Sequence, residues 1–164
     1  MEETKGKYIW GLLRIGIGWI FFWAFIDKVF GLGFATVAGK GWIDGASPTF
    51  GFLKFAAKGP FIDFYQGLAG NPIVDWLFMA GCLGIGIAFL LGIGMRIAAY
   101  SGILMYILMY TAGFIPPEHN PFLDEHIMYP LLMLGLMKIE AGRWLGFGEW
   151  WSNTALVKKF LILK

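Results

Sequence analysis

Trp76 to Met95, WLFMAGCLGIGIAFLLGIGM, is a run of 20 residues without a charged side chain. A helix of that length, at about 1.5 Å per residue, just crosses the roughly 30 Å of a bilayer's hydrocarbon core. Its glycines would weaken a helix in water by about 1 kcal/mol each, whereas in lipid small residues spaced four apart form a smooth ridge for helix contact. Ala80, Gly84, Ala88 and Gly92 have that spacing, and the next step lands on Arg96. Arg96 is therefore read either as a headgroup stop or as a charge at the end of the packing face.

The rest of the chain fits the same solvent. Of 164 residues 58% are hydrophobic, 18% aromatic and 15% charged, with mean hydropathy +0.66, whereas soluble domains carry about 25% charge. A net charge of +2, scattered along the chain, gives no footprint for nucleic acid. Lys5 and Lys7 precede an apolar run that is longer than the 7 to 15 residues of a signal-peptide core, so that segment is expected to be retained. Cys82 is the single cysteine, which excludes an intrachain disulfide, a CxxC redox pair and a cysteine-ligated iron–sulfur cluster built from this chain alone.

Hydropathy and breakers divide the chain into an all-α membrane domain of four predicted spans, at about 8–30, 73–95, 97–115 and 122–138. An insert over 31–71 and a tail over 139–164 complete it. The first span contains Arg14 and closes with Asp27-Lys28. Stepped at about 100° per residue, Arg14, Gly18 and Lys28 share a face that Asp27 turns away from. Arg14 either snorkels to the interface or faces a polar interior, where an intramembrane charge marks a functional group. In the insert, Ser47-Pro48 opens a short helix and Gly59-Pro60 closes it, and a second short helix follows over Phe61 to Leu68. These helices, rich in phenylalanine, are expected to act as a lid over one end of the bundle or to anchor in the headgroups.

Asn71-Pro72-Ile73-Val74-Asp75 and Asn120-Pro121-Phe122-Leu123-Asp124 share an NPxxD pattern. In both, Asn is the expected cap and Pro the first helical residue. Both helix starts then lie on one side of the membrane. The fourth span is short, which draws Asp124, Glu125 and His126 toward the hydrocarbon edge, and Pro130 is expected to kink it. Trp144, Phe147, Trp150 and Trp151 make an aromatic belt in the tail. Lys5, Lys7, Arg96, Lys138, Arg143, Lys158, Lys159 and Lys164 fall on the side of the termini, against Lys28, Lys40, Lys54 and Lys58 opposite. The positive-inside rule then puts both termini in the cytoplasm of a multi-pass cell-membrane protein.

This topology gathers Asp27, Lys28, Glu118, His119, Asp124, Glu125 and His126 at the other end, under the insert with Trp42 and Asp44. His126 could pass protons near neutral pH, with carboxylates such as Asp124 holding its tautomer or relaying its proton; alternatively it makes a hydrogen bond across the bundle. Lys28 could hold an anion or a developing phenolate. No HxxxH or HxxE spacing supports a metal site, and none is expected.

The stretch LLRIGIGWIFFWAFIDKVFG, the glycine-rich span ending in Gly94-Met95-Arg96, and the run Pro117 to His126 (PEHNPFLDEH) together resemble the DoxX/DoxD family of small four-span membrane proteins. The resemblance extends over nearly the whole chain and includes a DoxD-like insert. It implies the membrane subunit of a thiosulfate:quinone oxidoreductase, which joins two thiosulfates into tetrathionate and reduces quinone. A quinone head would then lie in the bundle beside Arg14 or His126. The anion would enter at the mouth among Asp27, Lys28, Glu118, His119 and Asp124, and a small partner subunit would complete the complex. A second reading is a non-catalytic membrane protein that assists assembly of a partner complex. A transporter would need more spans, which a homo-oligomer could supply.

Overall fold

The structure, a computed structural model, describes residues 2–113 and 122–164. Among the described residues it is helical and contains no strand. Helix α1 runs Glu2–Phe30, α3 runs Pro72–Leu91 and α4 runs Met95–Gly113, with the six-residue α2 (Ile62–Gly67) between the first two. Three segments are long and apolar enough to cross a membrane: Gly6–Phe30, Pro72–Leu91 and Met95–Gly113. Helix α5, Glu125–Lys138, has 14 residues and extends about 21 Å, less than the predicted fourth span over 122–138. The predicted spans 73–95 and 97–115 also shift. Gly92 adopts φ 75 and ends α3 as a left-handed cap, so the hairpin turn is Gly92–Gly94 and Arg96 belongs to α4.

The helices alternate in direction. Gly18 of α1 meets Leu90 of α3, Gly86 meets Phe22, and Gly102 of α4 meets Met133 of α5. The core between them contains Ile17, Phe21, Cys82, Ile85, Phe89, Ala99, Tyr106 and Met133. α1 packs most extensively on α3, and α4 on both α3 and α5.

The packing ridge differs from the predicted one. A Cβ on Gly84 would meet nothing within 4 Å, and Ala80 is exposed. A Cβ on Gly86 would lie 2.7 Å from the Phe22 backbone nitrogen, and one on Gly18 would lie 2.6 Å from that of Leu90. The close approach therefore runs along Met79, Cys82, Gly86 and Phe89, four of the six buried residues of α3, at steps of three and four. A spacing of four alone drifts off a face of 3.6-residue period, which is why Ala80 and Gly84 fall outside the interface.

At one end, here the mouth end, the insert covers the start of α3 and the end of α4. Ser47 Oγ and Thr49 Oγ1 donate to Asp75 Oδ1 at 2.9 and 2.6 Å, joined by Thr49 N–H at 3.2 Å. Lys58 N–H donates to the Ala112 carbonyl at 2.9 Å, and Tyr65 and Thr111 share a hydroxyl hydrogen bond of 2.6 Å. Ser47 Oγ also accepts from Phe50 N–H at 3.1 Å, but the helix that follows, a π-helix over Phe52–Ala56, has Gly51 as its N-cap and no side-chain cap.

At the opposite end the tail folds back beneath the bundle as α6 (Gly148–Ser152) and α7 (Ala155–Lys159). Backbones touch here: Gly92, Gly142 and Gly148 leave no room for a Cβ between them. Phe147 N–H donates to the Leu91 carbonyl at 2.8 Å, closing off the end of α3.

Candidate functional site

Asp124 is the N-cap of α5. Its Oδ1 accepts from His126 N–H at 2.9 Å, and its Oδ2 lies 3.1 Å from His126 Nδ1. The predicted cap, Asn120, lies outside the described residues, as do Glu118 and His119. His126 is 4% exposed. Its ring meets Tyr106 edge-on at 5.7 Å between centroids, and Tyr106 in turn meets Tyr129 at 5.6 Å and Phe21 at 5.5 Å. A buried imidazole is thus held by a carboxylate on one nitrogen and by aromatic rings around it. With Nδ1 facing the Asp124 carboxylate, Nε2 is the ring nitrogen turned away from it.

Tyr129 also borders a groove between α1 and α5. The groove has a volume of about 390 Å³ and is walled by Ile9, Leu12, Leu13, Gly16, Ile17 and Ile20 from α1, with Tyr129 and Leu132 from α5. It exists because α1 and α5 touch only sparsely, and the absent side chain of Gly16 leaves space in its wall.

The other predicted site residues are held apart from the pair. Asp27 is buried, and its carboxylate accepts from the Phe34 and Thr36 amides at 3.3 and 2.8 Å, closing the loop after α1. Lys28 is half-buried with Nζ 5.8 Å from the centre of the Phe78 ring, a cation–π distance. Among the described residues no carboxylate pairs with it. Trp42 packs on Trp76 at 4.5 Å, and Asp44 accepts from Gly41 N–H at 3.0 Å.

Arg14 lies near the tail end and is turned inward, where it meets main-chain carbonyls. It is fully buried, and its guanidinium donates to four main-chain carbonyls. Nη1 reaches Phe89 and, at 2.9 Å, Leu90; Nη2 reaches Trp144 at 3.1 Å and Leu145 at 2.8 Å. It ties the open carbonyls of the α3 terminus to the tail, and the cation faces the negative end of that helix. Arg96 also lies at the tail end. Its N–H donates to the Lys164 carbonyl at 2.9 Å and its Nη1 to the Leu161 carbonyl at 3.0 Å. The site residues assembled by sequence thus separate: Arg14 and Arg96 brace the tail, Asp27 braces a loop, and Asp124 with His126 remain together beside Glu125.

Asp124, Glu125 and His126 each offer one ligand atom, all within 4.8 Å of one another. Both Asp124 oxygens already face His126, so a metal would have to displace that contact.

No protein-family model, curated protein or solved structure matches the chain.

Two features escaped the sequence reading. The groove depends on how far α1 stands from α5, which no pattern encodes. Tyr106 carries the contact between His126 and Tyr129, and its only signal was a polar-tipped aromatic within an apolar span.

Proposed function

We propose that the protein is a membrane protein of four crossings, α5 being the short fourth one, with both termini cytoplasmic and the insert lying at the opposite membrane surface. In this reading it binds a quinone-type lipophilic substrate in the groove between α1 and α5 and exchanges protons with it through His126. The observation that carries the proposal is the buried His126–Asp124 pair beside a ring stack that ends on the groove wall at Tyr129.

The groove volume falls in the range of small-molecule sites, about 300 to 1,000 Å³, and its aliphatic lining suits a prenyl tail. A quinone needs two electrons and two protons to become a quinol. In this reading His126, which stands behind Tyr106 and Tyr129 rather than in the groove lining, supplies a proton at Nε2 while Asp124 holds Nδ1–H and stabilises the imidazolium. Lys28, a cation without a carboxylate partner among the described residues, suits an anion at the same end. The DoxX/DoxD resemblance supplies the electron source: two thiosulfates joined through sulfur release the two electrons as tetrathionate, with a small partner subunit participating. Arg14 is left out of quinone binding because its two Nη atoms are engaged by four carbonyls.

The test uses the full chain in lipid nanodiscs. Quinone-analogue binding is measured first, then its reduction on adding thiosulfate, with and without co-expressed partner. Gly16→Leu fills the groove where an added Cβ meets nothing within 4 Å, so it should abolish binding without loosening the fold. His126→Ala should leave binding and remove at least 90% of turnover. Binding unchanged in Gly16→Leu would overturn the groove as the site, and turnover unchanged in His126→Ala would overturn the proton role. Co-purification of a stable partner without quinone binding or turnover would favour an assembly role.

A further inference from the structure

We propose that the tail end is a docking surface for anionic phospholipid, with headgroup phosphates held along a rim formed by Arg143, Lys158 and Lys159.

Residues 138–164 contain five cations, Lys138, Arg143, Lys158, Lys159 and Lys164, against two acids, Glu140 and Glu149. Arg96 from α4 joins the same end through its bonds to Leu161 and Lys164. Only part of this charge is neutralised within the protein. Glu140 pairs with Arg143 Nη2 at 2.6 Å and with Lys164 Nζ. The Lys164 ammonium, with Arg143 and Arg96 nearby, holds the Glu140 carboxyl below its ordinary range. One acid is thus shared among three cations, and Lys158 and Lys159 have no ion pair among the described residues.

Apolar side chains stand out from the same short helices. Trp150 is 66% exposed, Leu161 63%, and Ile162, Leu156 and Phe160 about half. A water-facing tail would not leave such a patch open. Apolar side chains interleaved with lysines match a leaflet instead: hydrocarbon takes the first and phosphate the second. The mouth end carries exposed aromatics as well, Phe55 and Phe64 among them, but its insert sets Lys40, Lys54 and Lys58 against Asp44 and Asp63. Charge complementarity therefore selects the tail end.

The tail is also tied to the bundle. Arg14 and Arg96 hold its carbonyls, and Trp151 Nε1 donates to the Leu163 carbonyl at 2.5 Å. Lipid bound to the rim would thus stabilise the whole protein through a connected set of bonds.

The experiment measures retention of phosphatidylglycerol against phosphatidylcholine by native mass spectrometry of the purified full chain. Its melting temperature is also followed in micelles doped with either lipid or with inorganic phosphate. Anionic lipid should be retained preferentially and raise the melting temperature, whereas inorganic phosphate should not. Each cation near a leaflet strengthens anionic binding by about fivefold, so Lys158→Gln/Lys159→Gln should cut the preference by at least tenfold, and Arg143→Gln by about fivefold. Lys54→Gln/Lys58→Gln at the mouth end should leave it unchanged. Equal retention of the two lipids, the same rise with inorganic phosphate, or an equal loss in the mouth-end variant would each overturn the proposal.

Discussion

Arg14→Lys keeps the charge and tests the geometry. The guanidinium reaches two carbonyls at the end of α3 and two in the tail from one planar fork. An ammonium on a shorter stem has three donors around one nitrogen and can serve one of those pairs, not both. At least two buried carbonyls then lose a charged donor, each such bond contributing about 1.5 to 3 kcal/mol, so the substitution should cost about 3 to 6 kcal/mol. Folded proteins have only about 5 to 15 kcal/mol in total. At about 2 to 4 °C per kcal/mol for a chain of this size, the melting temperature should fall by at least about 6 °C. Cys82, the single thiol and 2% exposed, is the reporter: a thiol-reactive fluorophore labels it as the bundle opens. Proteolysis near Leu145 separates release of the tail from global opening. Leu145 sits at φ 55, a left-handed conformation that persists in a non-glycine residue only where its surroundings impose it. Arg14→Leu should be equally damaging. A wild-type melting temperature in Arg14→Lys would refute the four-carbonyl account and reopen Arg14 as a ligand group.

Gly86→Val should prevent α1 from seating on α3, because the added Cβ meets the Phe22 backbone, whereas Gly84→Ala should be neutral or stabilising by up to about 1 kcal/mol; the same thiol assay compares them. Asp75→Ala removes the acceptor of three hydrogen bonds from Ser47 and Thr49 and should make the insert cleavable by protease at concentrations that leave wild type intact. Glu140 titrates low in the folded chain because Lys164 hydrogen-bonds its charged form. A depressed carboxyl stabilises the fold above its ordinary value of 4.5 and loses that contribution as the pH falls through its folded value. Glu140→Gln should therefore melt earlier than wild type at pH 7, and the gap should shrink as the pH falls below 4.5; a gap that stays constant into strong acid would refute the pairing.

Although the turn at Gly92 to Gly94 was expected at Arg96, the alternation of helices was legible because apolar run length and the breaker at Asn71-Pro72 are local signals. So was the face of α1 that carries Arg14, Gly18 and Lys28, since all three meet α3. The roles of the charges were not legible. A sequence does not reveal whether a buried arginine meets a ligand or a carbonyl, because carbonyls belong to every residue and their accessibility depends on where a neighbouring helix ends. The two NPxxD runs illustrate this. In the first, Asn71 is the cap, accepting from Ile73 N–H at 2.9 Å, and Asp75 turns inward to hold the insert. In the second, the aspartate itself is the cap and holds a histidine.

The shortness of α5 explains why a residue in the first turn of a helix is buried. Met95 at the start of α4 and Met137 near the end of α5 line one small pocket, so the two helices are level at the tail end. From there α4 rises 19 residues and α5 only 14, a difference of about 7 Å. His126 therefore lies well below the end of α4, at the depth of Tyr106, where water is scarce and a lone imidazolium would be costly. Asp124 answers that cost at the helix cap, where the N-terminal dipole favours its negative charge. Asp124→Asn would preserve the cap and remove the charge. The fold should then survive, with quinone binding retained and turnover reduced; unchanged turnover in that variant would separate the pair from the proton role.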